Sequence, residues 1–193
     1  RMEMVNLTDV DLELEAEGEP YCFLYLGHLG NWEWISSIPL WTKADEVCGQ
    51  IYHPLHNRVM DRLFLHIRGR CGATSMAVKE TVRTVRGWKR EGRRAMIGFI
   101  SDQSPKWEAM HHWTPFLHHD TFFFTGAEKI GRAVGARYFY VDVTRPRRGY
   151  YRAELRELKV DANSDSPYPV TAAFAQALEN SIRRDPHLWL WKH

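Results

Sequence analysis

Cysteine is scarce and scattered. Cys22, Cys48 and Cys71 form an odd set with no Cys-x-x-Cys spacing. That excludes a zinc ribbon and a disulfide-stapled scaffold, and it fits a reducing compartment. No run reaches the roughly 18 apolar residues of a membrane-crossing helix, and the first residues carry no secretory signal pattern. The chain as given is therefore expected to lie on a bilayer at most, not to span one. Neither Gly-x-Gly-x-x-Gly nor a P-loop occurs, so nucleotide phosphates have no ready cradle. An RNA-binding aromatic motif and a helix-turn-helix pattern are equally missing, which argues against nucleic acid as a partner. No internal repeat, low-complexity tract or long linker interrupts the 193 residues. The length suits a single domain, 1–193, with a substantial core.

Aromatic residues, by contrast, are plentiful at 13%, with eight tryptophans. Trp and Tyr serve boundaries that are apolar on one side and wet on the other, although they also fill cores. Charge is unevenly spread beneath a net value of +2. Residues 1–20 hold seven acids against Arg1, whereas residues 55–94 hold eleven Lys and Arg against Asp61, Glu80 and Glu91. Such asymmetry suits a positive surface facing phosphate, lipid headgroups or an acidic protein, although solvated helix faces explain many single residues.

Hydrophobic periodicity alternates strand with helix. Uncharged runs at 21–27, 47–52 and 95–100 read as strands, 137–143 reads as another, and 150–158 pairs back after a turn at "RPRRGY". Residues 31–40, 56–68, 76–91, 124–135 and 169–183 read as helices, with Val59, Leu63 and Ile67 on one face of the second. The third shows Val78, Val82, Val85 and Trp88 beside a basic face of Lys79, Arg83, Arg86 and Arg90. The pattern predicts an α/β fold: a mixed, mostly parallel sheet flanked by helices. Ligands of such sheets sit beyond the carboxyl ends of strands. Two polar clusters, 28–33 and 101–103, fall at such ends.

The first cluster reads "GHLGNWEW" over residues 27–34. His28 would occupy the strand-to-helix turn and Glu33 the start of the helix. A carboxylate there is expected to accept from one imidazole nitrogen and leave the other as a base. Backbone N–H groups at the helix start offer a place for developing negative charge. These parts suit deprotonation of a hydroxyl during acyl transfer, although a lone His and Glu at this spacing are also common without function. His111, His112, His118, His119 and Asp120 raise a metal reading, but adjacent histidines on extended chain point opposite ways, so no metal site is expected.

The string His28-Leu29-Gly30-Asn31-Trp32-Glu33 resembles the His-Phe-Gly-Asn-Trp-Glu signature of the lipid A biosynthesis acyltransferases. These are the late lauroyl or myristoyl transferases of the lysophospholipid acyltransferase superfamily. Five further stretches are similar in the same order: "YHPLHNRVMDRL" (52–63), "IRGRCG" (67–72), "SDQSP" (101–105), "TPFLHHDTFFFTGAEKIGRAVGA" (114–136) and "DPHLWLWKH" (185–193). Together they are spread along most of the chain.

The resemblance implies a glycerolipid acyltransferase-like fold and a fatty acyl transfer from a thioester to a lipid hydroxyl. His28 would be the general base and Glu33 its orienting partner. Asn31, Asn57, Arg68, Arg70, Asp102 and Gln103 would bind substrate or organise the site, with Arg70 the stronger candidate for phosphate oxygens because it precedes Cys71-Gly72 as in the family spacing; the planar fork of arginine suits that contact. His53 stands where the family has Arg, so that contact does not carry over. The expected donor is an acyl carrier protein or coenzyme A, the acceptor a lipid A precursor or related lipid, and no cofactor is called for. The expected place is the cytoplasmic face of a bacterial inner membrane, with an N-terminal anchor and the extreme C-terminus outside this sequence. A non-catalytic lipid-binding domain on the same fold is the rival reading.

Overall fold

The uncharged stretch Tyr21–Leu26 lies mid-sheet with all six side chains buried. Cover on both faces is what allows a strand to be apolar at every position. The computed structural model describes residues 1–43, 45–103, 112–160 and 165–191. In chain order these form β1 (Met2–Met4), α1 (Leu7–Ala16), β2 (Tyr21–Leu26), a 3-10 helix (Trp32–Leu40), β3 (Val47–Tyr52), α2 (Arg58–Gly69) and β4 (Thr74–Ala77). There follow α3 (Thr81–Arg90), β5 (Ala95–Ile100), β6 (Trp113–Phe116), β7 (His119–Phe122), α4 (Gly126–Val134), β8 (Arg137–Arg147), β9 (Tyr150–Glu157), α5 (Pro169–Arg184) and a 3-10 turn (Pro186–Leu188).

Seven strands form one sheet in the order β1-β9-β8-β2-β5-β3-β4. Every pairing is parallel except β8 with β9, so the sheet is mixed and mostly parallel, as the periodicity predicts. Helix α5 covers the β2–β8 region, where Phe174 packs against Tyr25 and Tyr140 with ring centroids 5.2 and 5.9 Å apart. Among the described residues no helix is long and apolar enough to cross a membrane.

Three expectations shift. The helix read over 76–91 begins only at Thr81, because Thr74–Ala77 pair with β3 as a parallel edge strand. Only Val85 and Trp88 of its apolar face are then buried, while Val78 and Val82 face solvent. The segment after His28 is a 3-10 helix with Pro39 inside its last turn. And α2 forms where the spacing placed it, yet none of its residues is buried. Asn57 starts that helix by accepting from the amides of Val59 and Met60 at 3.0 and 3.2 Å, as an N-cap does.

A second, two-stranded sheet joins β6 and β7 through a tight turn. Leu117 and His118 both adopt positive φ there, 51° and 68°, a region that disfavours side chains. Helix α5 holds the turn in place. Glu179 accepts from the Leu117 amide at 2.8 Å, and Arg183 donates to His118 Nε2 at 3.0 Å.

One buried carboxylate fastens α5 to the sheet. Asp142 of β8 accepts two bonds from Arg184, both 2.8 Å, and one from the Ser181 hydroxyl at 2.9 Å, with Arg156 at 3.0 Å. Burial pushes this carboxyl up, but the bonds and charge of Arg184, with help from Ser181 and Arg156, outweigh it and hold it below the usual range. A depressed folded value means stability that is present above the unfolded carboxyl value of about 3.9 and lost as pH falls through the folded one. Asp142→Asn is expected to cost about 2 kcal/mol, since it strands buried donors. In urea melts from pH 7 down to 2, its gap from wild type should stay constant to about pH 4 and then close.

Candidate active site

Strands β2 and β5 run parallel in register, with Leu26 opposite Ile100, and the Ser101 amide donates to the Leu26 carbonyl at 2.9 Å. His28 and Asp102 each stand two residues beyond that pair. The sheet thus delivers an imidazole and a carboxylate to the same level at its carboxyl edge. Asp102 Oδ1 meets His28 Nδ1 at 2.6 Å, and Oδ2 accepts the His28 backbone N–H at 2.7 Å. Trp189 Nε1 donates to the same Oδ2 at 2.9 Å.

Both side chains are shut away from water, the imidazole 9% and the carboxylate 1% exposed. Burial works to raise the Asp102 carboxyl, but the hydrogen bonds and charge of His28, with the Trp189 N–H, prevail and hold it below the ordinary carboxylate range. An ionised Asp102 accepts from Nδ1–H, so a neutral ring carries its lone pair on Nε2. That is the tautomer a general base requires.

The backbone around His28 is fitted for this. A Cβ on Gly27 would lie 2.6 Å from Leu178 Cδ1 and 3.3 Å from Asp102 Oδ2, so only glycine lets the strand end approach α5 and the carboxylate together. Gly30 takes a left-handed φ of +60° and donates its amide to the Leu188 carbonyl at 2.7 Å. The Leu190 amide donates to the His28 carbonyl at 3.0 Å, and Leu29 bridges to Trp189. The closing "DPHLWLW" stretch is therefore laced onto the His28 loop. On the other side the Trp32 ring meets the imidazole edge-on at 4.7 Å.

Glu33 departs from its expected contact. Its two oxygens accept from Arg68, Oε1 from Nη2 at 2.6 Å and Oε2 from Nε at 3.2 Å, the forked geometry that arginine favours. The carboxylate on His28 Nδ1 is instead Asp102, because the parallel register brings it there while the 3-10 helix turns Glu33 toward α2. Arg68 also lies over the Phe64 ring at 5.4 Å. The geometry thus joins two of the motif blocks, 28–33 with 67–72, through one ion pair.

The remaining candidates divide. Asn31 sits at the head of the 3-10 helix, where its carbonyl accepts from the Trp34 amide at 3.1 Å. Asn57 caps α2, and Asp61 of the same block holds the loop before it by accepting from the Leu55 amide at 2.8 Å. Arg70 is exposed at the end of α2, with no side-chain hydrogen bond or ion pair among the described residues. Gln103 is exposed after Asp102. Ser104 and Pro105 of the 101–105 block, His111 of the metal reading, and the last two residues of the closing block lie outside the described residues. Sequence reasoning did not foresee the bond from Trp189 to Asp102, although the conspicuous Trp-Leu-Trp was its signal.

No curated protein matches the chain. The family whose sequence profile does match is described as bacterial lipid A biosynthesis acyltransferase, and its match runs over residues 1–193. The protein belongs to that family and is an acyltransferase.

Proposed function

We propose that the enzyme moves a fatty acyl group from a thioester to a hydroxyl of a lipid A precursor, with His28 as general base and Asp102 as its orienting partner. The observation that carries this is the pair of bonds from His28 to one buried carboxylate. The acceptor hydroxyl gives its proton to His28 Nε2 as its oxygen attacks the thioester carbonyl. The tetrahedral intermediate then collapses, expelling the thiolate, which takes the proton back from the imidazolium. Asp102 stabilises that imidazolium by charge and fixes the ring by its two bonds. No acyl-enzyme is needed.

In this reading Glu33 acts through Arg68. It grips Nε and Nη2, which leaves Nη1 to face substrate oxygens from a fixed position. Arg70, two residues further on at the C-cap of α2 and unpaired among the described residues, adds a second cation for phosphate. Asn31 and Gln103 complete the rim. Acyl carrier protein and coenzyme A both present phosphate or acidic surface, and either suits a basic docking side. The exposed Arg83, Arg86 and Arg90 of α3 would draw the protein toward anionic lipid on the cytoplasmic face of the inner membrane.

The direct experiment is acyl transfer from a labelled thioester to extracted bacterial membrane lipids, with the product identified by mass spectrometry. A labelled lipid A precursor is the expected product; another acylated lipid would change the acceptor, and none would remove the mechanism. In that assay His28→Ala should lower the rate of the folded enzyme by roughly 100- to 10,000-fold, and it should also lower the melting temperature, because it strands the buried Asp102 carboxylate. Asp102→Asn should lose activity on a similar scale, because an amide N–H facing Nδ1 favours the wrong tautomer. Glu33→Gln should act mainly on KM, by loosening Arg68. The reverse ranking, with Glu33→Gln inert and Asp102→Asn active, would make Glu33 the orienting group.

Arg70→Lys keeps the charge but loses the fork. It should raise KM for the phosphate-bearing substrate by about tenfold while leaving the melting temperature where it was. A lowered melting temperature with normal kinetics would show that Arg70 serves only the fold.

A further inference from the structure

Helix α2 carries the sequence pattern of a core helix and the burial of a surface one. Val59, Met60, Leu63, Phe64 and Ile67 are 75%, 40%, 47%, 37% and 50% exposed. At 3.6 residues per turn they share an arc of about 140°. Asp61, Leu65 and Arg68 are the half-buried residues of the helix, and they lie on the opposite side, toward the protein. Arg58, Arg62 and His66, all exposed, line one border of the apolar arc. The helix therefore rests on the fold by its polar side and turns its apolar side outward.

That arrangement continues past the helix. A Cβ on Gly72 would come within 3.5 Å of Pro39 Cβ, so the turn after α2 lies against the end of the 3-10 helix. There Leu40 and Trp41 are also exposed, at 68% and 45%. Arg68 meanwhile ties α2 to Glu33, five residues from His28.

We infer that α2 is the element by which this protein enters a membrane surface. Its apolar arc lies at the headgroup–acyl boundary of an anionic bilayer, with Arg58 and Arg62 on lipid phosphates. A short helix with a strong apolar face, a basic border and low overall hydrophobicity is suited to that plane. A convex apolar face demands no matching groove from a fluid lipid boundary, as it would from a folded partner. Trp41 beside it suits the headgroup level. The consequence for the site is positional: the same helix that enters the lipid holds Arg68 and Arg70, so a lipid headgroup meets them at the surface. The inference deepens the proposed function and rests on it for the identity of the lipid acceptor.

The test is vesicle co-sedimentation of the full 193-residue chain with phosphatidylcholine vesicles and with vesicles containing phosphatidylglycerol. Leu63→Glu with Ile67→Glu should weaken binding to both by about 100-fold or more, since two side chains lose apolar burial and gain charge. Arg58→Gln with Arg62→Gln should weaken only the anionic case, by roughly 30-fold, and added salt should shrink that difference. All of these side chains are exposed, so the melting temperature should not move. Transfer by the Leu63/Ile67 variant should remain as in wild type with detergent-dispersed acceptor and fall with vesicle-embedded acceptor. Wild-type vesicle binding by that variant overturns the inference. So does a variant whose loss is of self-association, or of binding to an acyl carrier protein, with vesicle binding intact. His28→Ala should bind vesicles as wild type does. A protein that binds through α2 yet transfers nothing would sink the proposed chemistry and leave the membrane contact standing.

Discussion

The parallel register of β2 and β5 governs the rest of the molecule. Leu26 opposite Ile100 means that any residue two beyond β2 faces any residue two beyond β5. Given that alignment, a histidine on one strand end and an aspartate on the other need no long loop to meet. The cost is crowding. Two strand ends, α5 and a carboxylate converge, and the crowding is relieved by leaving out the side chain at Gly27. A slip of one residue between these strands would turn the two side chains to opposite faces of the sheet.

Much of the fold was legible because central parallel strands are uncharged along their whole length, as "YCFLYL" and "AMIGFI" are. The short edge pieces were not. The helix read over 76–91 takes in Met76 and Ala77 of β4, since four residues of strand offer no period to recognise and Val78 extends the apolar spacing of α3. The missed β6–β7 hairpin turns on Leu117 and His118 at positive φ, where no glycine or asparagine marks a turn. At the site, the motif singles out His28 and Glu33, but the carboxylate bonded to the His28 ring is Asp102, while Glu33 pairs with Arg68. Nearness in sequence favoured Glu33, whereas nearness in space follows strand pairing, which a local motif does not encode. Helix α2 shows the converse: its spacing was right, and only the three-dimensional structure reveals that the apolar face points away from the core.

The uneven charge also takes on a physical form. The acids of the first twenty residues do not make an open negative face. Glu13 and Glu17 pair with Arg137, Glu15 with Lys43 and Arg94, and Asp11 with Arg94. They pin α1 to the sheet. On the basic side, Arg58, Arg62, Arg70, Arg83, Arg86 and Arg90 form no ion pairs among the described residues and are exposed. A nearly neutral total thus hides one internally balanced region and one whose positive charge remains directed outward.

The lacing of residues 186–191 onto the His28 loop also sets an order of assembly. During synthesis β2 and β5 leave the ribosome well before Trp189 exists, so the sheet can pair while the carboxylate still lacks its indole donor. The candidate site is completed by residues that follow every strand of the sheet in the chain. A copy cut before Pro186 would keep the sheet yet leave the His28 loop untethered. The His28–Asp102 pair therefore gains its last tie only after the sheet and α5 that support it have been made.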